Sequence, residues 1–143
     1  MDIIAEVINT IANMFPEDSG LEFYRNNQEQ GFSEPCFFVR SIRNAGKEQL
    51  FGYQMRERLI AIRYFPKRFE ENEADRVIEQ CEVIGERLMH EFRYVGDHVC
   101  KVFDPSYEVT DGVLDFRFYA KYRTLPTKKE SKTMQTLTKE VRL

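Results

Sequence analysis

The chain has no tryptophan, only two histidines, and three cysteines that form an odd number at no CxxC spacing. That leaves little room for a zinc ribbon or a dithiol redox motif. Cys36, Cys81 and Cys100 read instead as free, mostly buried thiols in a reducing compartment, with Cys81 falling on the apolar side of an expected helix. No apolar run approaches the length of a membrane span, and the start MDIIAEVINT has neither the basic opening nor the small-residue cleavage site of a secretory signal. Cytoplasmic synthesis is the expectation. A net charge of -3 over 143 residues is too small to point to nucleic acid or a membrane. The length suits one domain with a single modest core.

Catalytic signatures are equally sparse. His90, His98 and Cys100 are the one metal-like group, yet their spacing matches no standard zinc pattern and nothing completes four ligands. Asp104 precedes Pro105 and Asp111 precedes Gly112, so turn chemistry accounts for both carboxylates, leaving Asp115 without a partner acid. No serine sits in a nucleophile-elbow context. NAGK (44–47) lacks the flanking glycine and Ser/Thr of a phosphate-binding loop. The expectation is a non-enzyme with no metal and no cofactor.

What is present is patterned hydrophobicity. Ile3, Ile4, Val7, Ile8, Ile11, Met14 and Phe15 recur at helical spacing and stop at Pro16. LEFYRN (21–26) is a short strand candidate and NQEQGFSEP (27–35) a loop. CFFVRSIR (36–43), a turn at NAGK and a long strand over 49–65 read as an antiparallel hairpin. In the second strand Ile60, Ile62 and Tyr64 face one way, Leu59, Ala61 and Phe65 the other. A second helix is expected from about Glu71 to Phe92, with Ala74, Val77, Ile78, Cys81, Ile84, Gly85, Leu88 and Phe92 on its core side and Glu70, Glu71, Glu73 and Asp75 at its positive end. Two alternating runs, 99–110 and 113–124, flank Asp111-Gly112, the strongest short hairpin signal in the chain. In the second run Leu114, Phe116, Phe118, Ala120 and Tyr122 point in; Asp115, Arg117, Tyr119, Lys121 and Arg123 point out. The fold class is therefore α+β: a mainly antiparallel sheet with an N-terminal helix and a long central helix packed on it. Residues 1–126 make the domain. Residues 127–143 make a basic C-terminal segment, either a last strand or an inter-subunit arm.

Charge is segregated. The central helix is acidic from Glu70 to Glu91, whereas Arg56, Arg58, Arg63, Lys67, Arg68, Arg117, Lys121, Arg123, Lys128, Lys129 and Lys132 lie on strands or in the tail. Two solvated faces of a monomer would look like this. Opposite charges on separate surfaces also suit head-to-tail contacts between copies, which close into a ring when the rotation allows.

GFSEPCFFV, then FGYQMRERLIAIRYFP, then the acidic NEADRVIEQCEVIGERLM and the later DGVLDFRFYAKY together resemble the tail terminator family of phages and prophages of Gram-positive bacteria. The matching positions are Pro35 to Phe38, Tyr53, Tyr64 to Pro66, and Asn72 with Glu73, within a likeness that spans about residues 1–126. The resemblance implies a virion structural protein that forms a hexameric ring on the head-proximal end of the tail tube. Such a ring ends tube polymerisation and meets the head-side connector or neck, and the sheath where the tail is contractile. Headless tail-like bacteriocins need the same part. The subunit contacts expected on this reading set Glu79, Glu82 and Glu86 against Arg56, Arg58, Arg117 and Lys121 of the next copy. The tail, Lys128 and Lys129 included, would lie on a neighbour, and Phe37, Phe38, Tyr64 and Phe65 would be core. No membrane and no specific nucleic-acid partner is expected. The alternatives are another neck, tail-completion or tube protein, or a small nucleic-acid-binding domain.

Overall fold

The computed structural model describes residues 2–16, 20–26, 34–67 and 74–126. Helices α1 (Ile3–Met14) and α2 (Ala74–Glu91) accompany six strands: β1 (Glu22–Arg25), β2 (Cys36–Glu48), β3 (Gln54–Phe65), β4 (Tyr94–Val95), β5 (Cys100–Thr110) and β6 (Val113–Thr124). The strands share one sheet in the order β1-β2-β3-β6-β5-β4. The class is α+β.

Two details of the expected architecture need correction. The sheet is mixed, because β1 runs parallel to β2 while the other pairings are antiparallel. A two-residue turn would have forced an antiparallel pair, but residues 26–35 are long enough to return the chain to the start of β1. The central helix is described only over the 18 residues Ala74–Glu91, since 68–73 lie outside the described residues. Its first turns do not bury the whole expected stripe: Ile78 is 43% exposed, whereas Cys81, Ile84, Gly85 and Leu88 are buried. Val77 is half-buried beside Gly112 of the β5–β6 turn, while Ala74 and Ile78 remain exposed.

The core lies between the helices and one sheet face. Phe37 and Val39 of β2, Ile60, Ile62 and Tyr64 of β3, and Leu114, Phe116, Phe118 and Ala120 of β6 meet Ile3, Val7 and Ile11 of α1 and Leu88 of α2. Each large side chain buried there is worth roughly 1.5–3 kcal/mol before chain entropy is subtracted. Phe92, just after α2, stands edge-on to Phe118 at 5.0 Å and locks the helix end to β6.

Local chemistry fixes the helix ends. Asp2 caps α1 by accepting from the Ala5 amide at 3.3 Å and pairs with Arg25 of β1 at 2.7 Å. The hydrogen bond from Arg25 is the main reason the Asp2 carboxyl is held down to about 2. The last turn of α1 carries no basic residue of its own. Arg87 of α2 takes that place, donating to the Met14 carbonyl and stacking over Phe15 at 4.4 Å. Midway along α2, the Cys81 thiol donates to the Gly112 carbonyl at 3.5 Å, which ties the helix to the β5–β6 turn.

That turn is the one expected: Asp111 and Gly112 both have positive φ, 53° and 73°. NAGK is not a turn. Asn44 to Lys47 pair with Arg58 to Met55 inside the ladder, and the chain reverses later, at Leu50–Gly52. Asp104-Pro105 is not a turn either; it forms a bulge in β5, with Asp104 at φ 49° and a register shift between Phe103 and Ser106.

Candidate functional site

Alternation along the strands and the register between them divide the expected contact residues among three surfaces. Glu79, Glu82 and Glu86 form one exposed stripe on α2, at steps of three and four. It runs beside β5, where the Tyr107 hydroxyl donates to Glu86 at 2.7 Å. That bond, more than burial, pushes the Tyr107 phenol up to about 12. Glu86 also lies 3.5 Å from His90. The stripe thus contains one carboxylate already engaged, Glu86, beside Glu79 and Glu82.

Arg117 and Lys121 sit on the opposite side of the sheet, on the face that no helix covers among the described residues. Cross-strand rows there read Arg40–Ala61–Arg117, Phe38–Arg63–Asp115, Arg43–Leu59–Tyr119, Ala45–Glu57–Lys121 and Lys47–Met55–Arg123. On these three central strands cations clearly outnumber the two carboxylates, Glu57 and Asp115. Arg117 pairs with Asp115 at 3.1 Å, and Glu57 is shared by Arg43 and Lys121 at 3.7 and 3.8 Å. Exposed pairs of this kind contribute about 0.2–1 kcal/mol each. The Nε atoms of Arg40 and Arg63 are buried with no hydrogen-bond partner among the described residues. This face also takes part of the aromatic motif expected in the core. Phe37 and Tyr64 join the core under the helices; Phe38 is buried as expected, but on the other side of the sheet, where Phe65 is half-buried beside it. There they pack with each other at 5.3 Å and with Tyr24 and Arg63. Adjacent strand residues point to opposite faces, so a Phe-Phe pair cannot stay on one side.

Arg56 and Arg58 share the face of Ile60 and Ile62 but lie beyond the reach of the helices. They line a cavity of about 700 Å³ with Val99, Tyr122, Thr124 and Leu125. Arg56 donates to Gln54 at 3.0 Å and to Asn44 at 3.3 Å, while the Arg58 Nε is buried with no hydrogen-bond partner among the described residues. One surface therefore cannot meet Arg56, Arg58, Arg117 and Lys121 together: the first two and the last two are back to back. Lys128 and Lys129 lie outside the described residues.

The β2–β3 hairpin continues past the helices as an arm. β2 is exposed from Ile42 to Glu48, and β1 pairs only with Cys36 to Val39, so the outer edge of the arm has no neighbour among the described strands. At its tip Phe51 (φ 61°, ψ 29°) and Gly52 (φ 80°) are the central residues of a turn closed by the Tyr53 amide on the Leu50 carbonyl at 3.4 Å. Those angles are type I′, which favours Asn, Asp or Gly at the first position; a bulky aromatic there is an outlier. Leu50 and Phe51 are 78% and 86% exposed. A Cβ on Gly52 would lie 3.1 Å from Pro126, so the end of the described chain, with Leu125 74% exposed, comes to the same tip.

Sequence reading missed this tip because it placed the reversal at NAGK. The usable signal was Phe51-Gly52, a glycine pair of the same kind as Asp111-Gly112 with the wrong residue first. His90 and His98 are not joined: His90 is exposed on α2 beside Glu86, the His98 ring packs tilted against Tyr94 at 4.5 Å, and Cys100 is buried.

A family model described as "Phage tail terminator protein" matches residues 2–132. No curated protein matches the sequence.

Proposed function

Because the chain belongs to the phage tail terminator family, a family of structural proteins of the phage tail, we propose that it caps the tail tube as a ring. In this reading six copies assemble on the head-proximal end of the tube and halt its polymerisation. Their free side meets the head-side connector or neck, and the sheath if the tail is contractile. The protein performs no catalysis and uses no cofactor; it works by shape and charge, in a phage or prophage particle or in a tail-like bacteriocin.

The observation that carries the reading is the separation of unlike surfaces on one small chain. An acidic helix stripe, a basic sheet face that no described helix covers and an apolar-tipped arm stand apart from one another. Surfaces that differ and complement each other make heterologous contacts, which close into a ring when the rotation between copies allows. A growing tube end templates another copy of itself, and a cap must match that end while failing to reproduce it. Unlike faces serve that purpose. We set Glu79, Glu82 and Glu86 against the arm of the next copy, where Arg56 and Arg58 lie, and we assign Arg117 and Lys121 to a contact of the uncovered face with tube or connector. The basic segment 127–143, with Lys128 and Lys129, is the remaining inter-subunit arm.

The test is native mass and negative-stain imaging of the purified chain, alone and with its tube protein. Closed rings, or capped tubes of arrested length, are expected. A monomer that leaves tube growth unchanged would refute the reading. The cations and the half-buried Tyr119 of the uncovered face favour one second reading, contact with nucleic acid. DNA affinity falling steeply with salt would be its mark.

A further inference from the structure

The tip of the arm presents Leu50 and Phe51 to solvent in a backbone conformation that Asn or Gly would adopt more easily. Among the described residues the Phe51 side chain makes no hydrogen bond or aromatic contact that offsets that cost. Such a side chain, held out at the end of a hairpin, has the character of an anchor for another surface. The chain also carries a matching receptor. Between α2 and the β5–β6 turn lies a cleft of about 440 Å³, with Ile78, Tyr107 and Val109 as its apolar part and Glu82, Glu108 and Asp111 as its acidic rim. Ile78 is 43% exposed there. Lys47, Arg56 and Arg123 flank the tip, outnumber Glu48 there and complement that rim.

The two features cannot meet within one molecule. β3 leads from the tip to the level of the β5–β6 turn over 12 residues, about 40 Å at the strand rise. We infer that the Leu50–Phe51 tip of one copy docks in the α2/β5–β6 cleft of the next copy. The contact is head-to-tail, with a donor end and an acceptor end on every chain. This inference rests on the ring reading and supplies it with an apolar centre that the charged residues alone lack.

Two variants test it. Phe51→Asn removes the anchor and suits the turn better, so its melting temperature should match or exceed that of the unaltered chain. Ile78→Asp spoils the cleft on an exposed position. By native mass spectrometry and sedimentation, each variant alone should lose self-association at least tenfold. Mixed, they should form a 1:1 dimer and stop, because only one tip and one cleft of the pair still function. If Phe51→Asn assembles into rings as the unaltered chain does, the tip docking is overturned and the ring reading stands. If it forms rings yet no longer caps tubes, the tip meets the tube protein instead, which also overturns docking between copies. If the unaltered chain never self-associates, alone or on tubes, both the docking and the ring are refuted.

Discussion

Gly85→Ala offers a sharp test of how α2 is seated. Gly85 is on the buried side of the helix, and a Cβ there would lie 2.7–2.8 Å from three ring carbons of Tyr107. Alanine in a helix interior is worth about 0.8–1.0 kcal/mol over glycine. Against that, forcing a methyl group into a filled space costs about 1–3 kcal/mol. The ring cannot simply swing away, because its hydroxyl is tied to Glu86 at 2.7 Å. The net expectation is a loss of about 1 kcal/mol. In a Tyr107→Ser background the obstruction is gone and the same change should gain about 1 kcal/mol, so the double-mutant cycle should show a coupling of about 2 kcal/mol. Urea unfolding followed by far-UV circular dichroism measures it. With a slope of about 1–3 kcal/mol/M, the midpoint should fall by roughly half a molar in the first background and rise in the second. A stabilising Gly85→Ala in the otherwise unaltered chain would refute the close packing of α2 on β5, and with it the shape of the cleft that the packing defines.

Other expectations follow from burial and hydrogen bonding. Burial pushes the Cys36 thiol up to about 12 and those of Cys81 and Cys100 to about 11, so a thiol reagent at pH 8 should label the native chain slowly and find all three cysteines only in denaturant; rapid labelling of a full equivalent would contradict this. In an ultraviolet titration Tyr107 should ionise well above the ordinary tyrosine range, and Glu86→Gln should return it toward that range. Because its folded pKa is raised, the stabilisation is complete below about pH 10 and fades as pH rises through about 12. Phe118→Ala, at a fully buried position against Phe92, should cost about 3–5 kcal/mol in thermal or urea unfolding; a loss below 1 kcal/mol would mean that the helix end and β6 do not share one core.

Local pattern made part of this legible. The stripe of α1 ending at Pro16, the Asp111-Gly112 hairpin and the inward set Leu114, Phe116, Phe118 and Ala120 depend on a periodicity or a turn preference contained in a few neighbouring residues. Even the family could be recognised from such stretches. The arm was less legible: the true reversal, Phe51-Gly52, violates the turn preference, and an ordinary-looking turn at NAGK competed with it.

Residue order alone contains the alternation within β3 and β6, the stop of α1, the α+β class and the segregation of acid from base. How these parts face one another was settled only when the chain folded. Alternation assigns faces within a strand, but relative faces between strands depend on register, and a single bulge such as the one at Ile42 moves every later residue of β2 to the other side. The unbroken β3–β6 register is why Arg56 and Arg58 came to lie back to back with Arg117 and Lys121, and with the β2–β3 register before the bulge it sets Arg40, Ala61 and Arg117 in a row. Hydrogen-bonded pairing across the sheet is a long-range property of the chain, and no short stretch contains it.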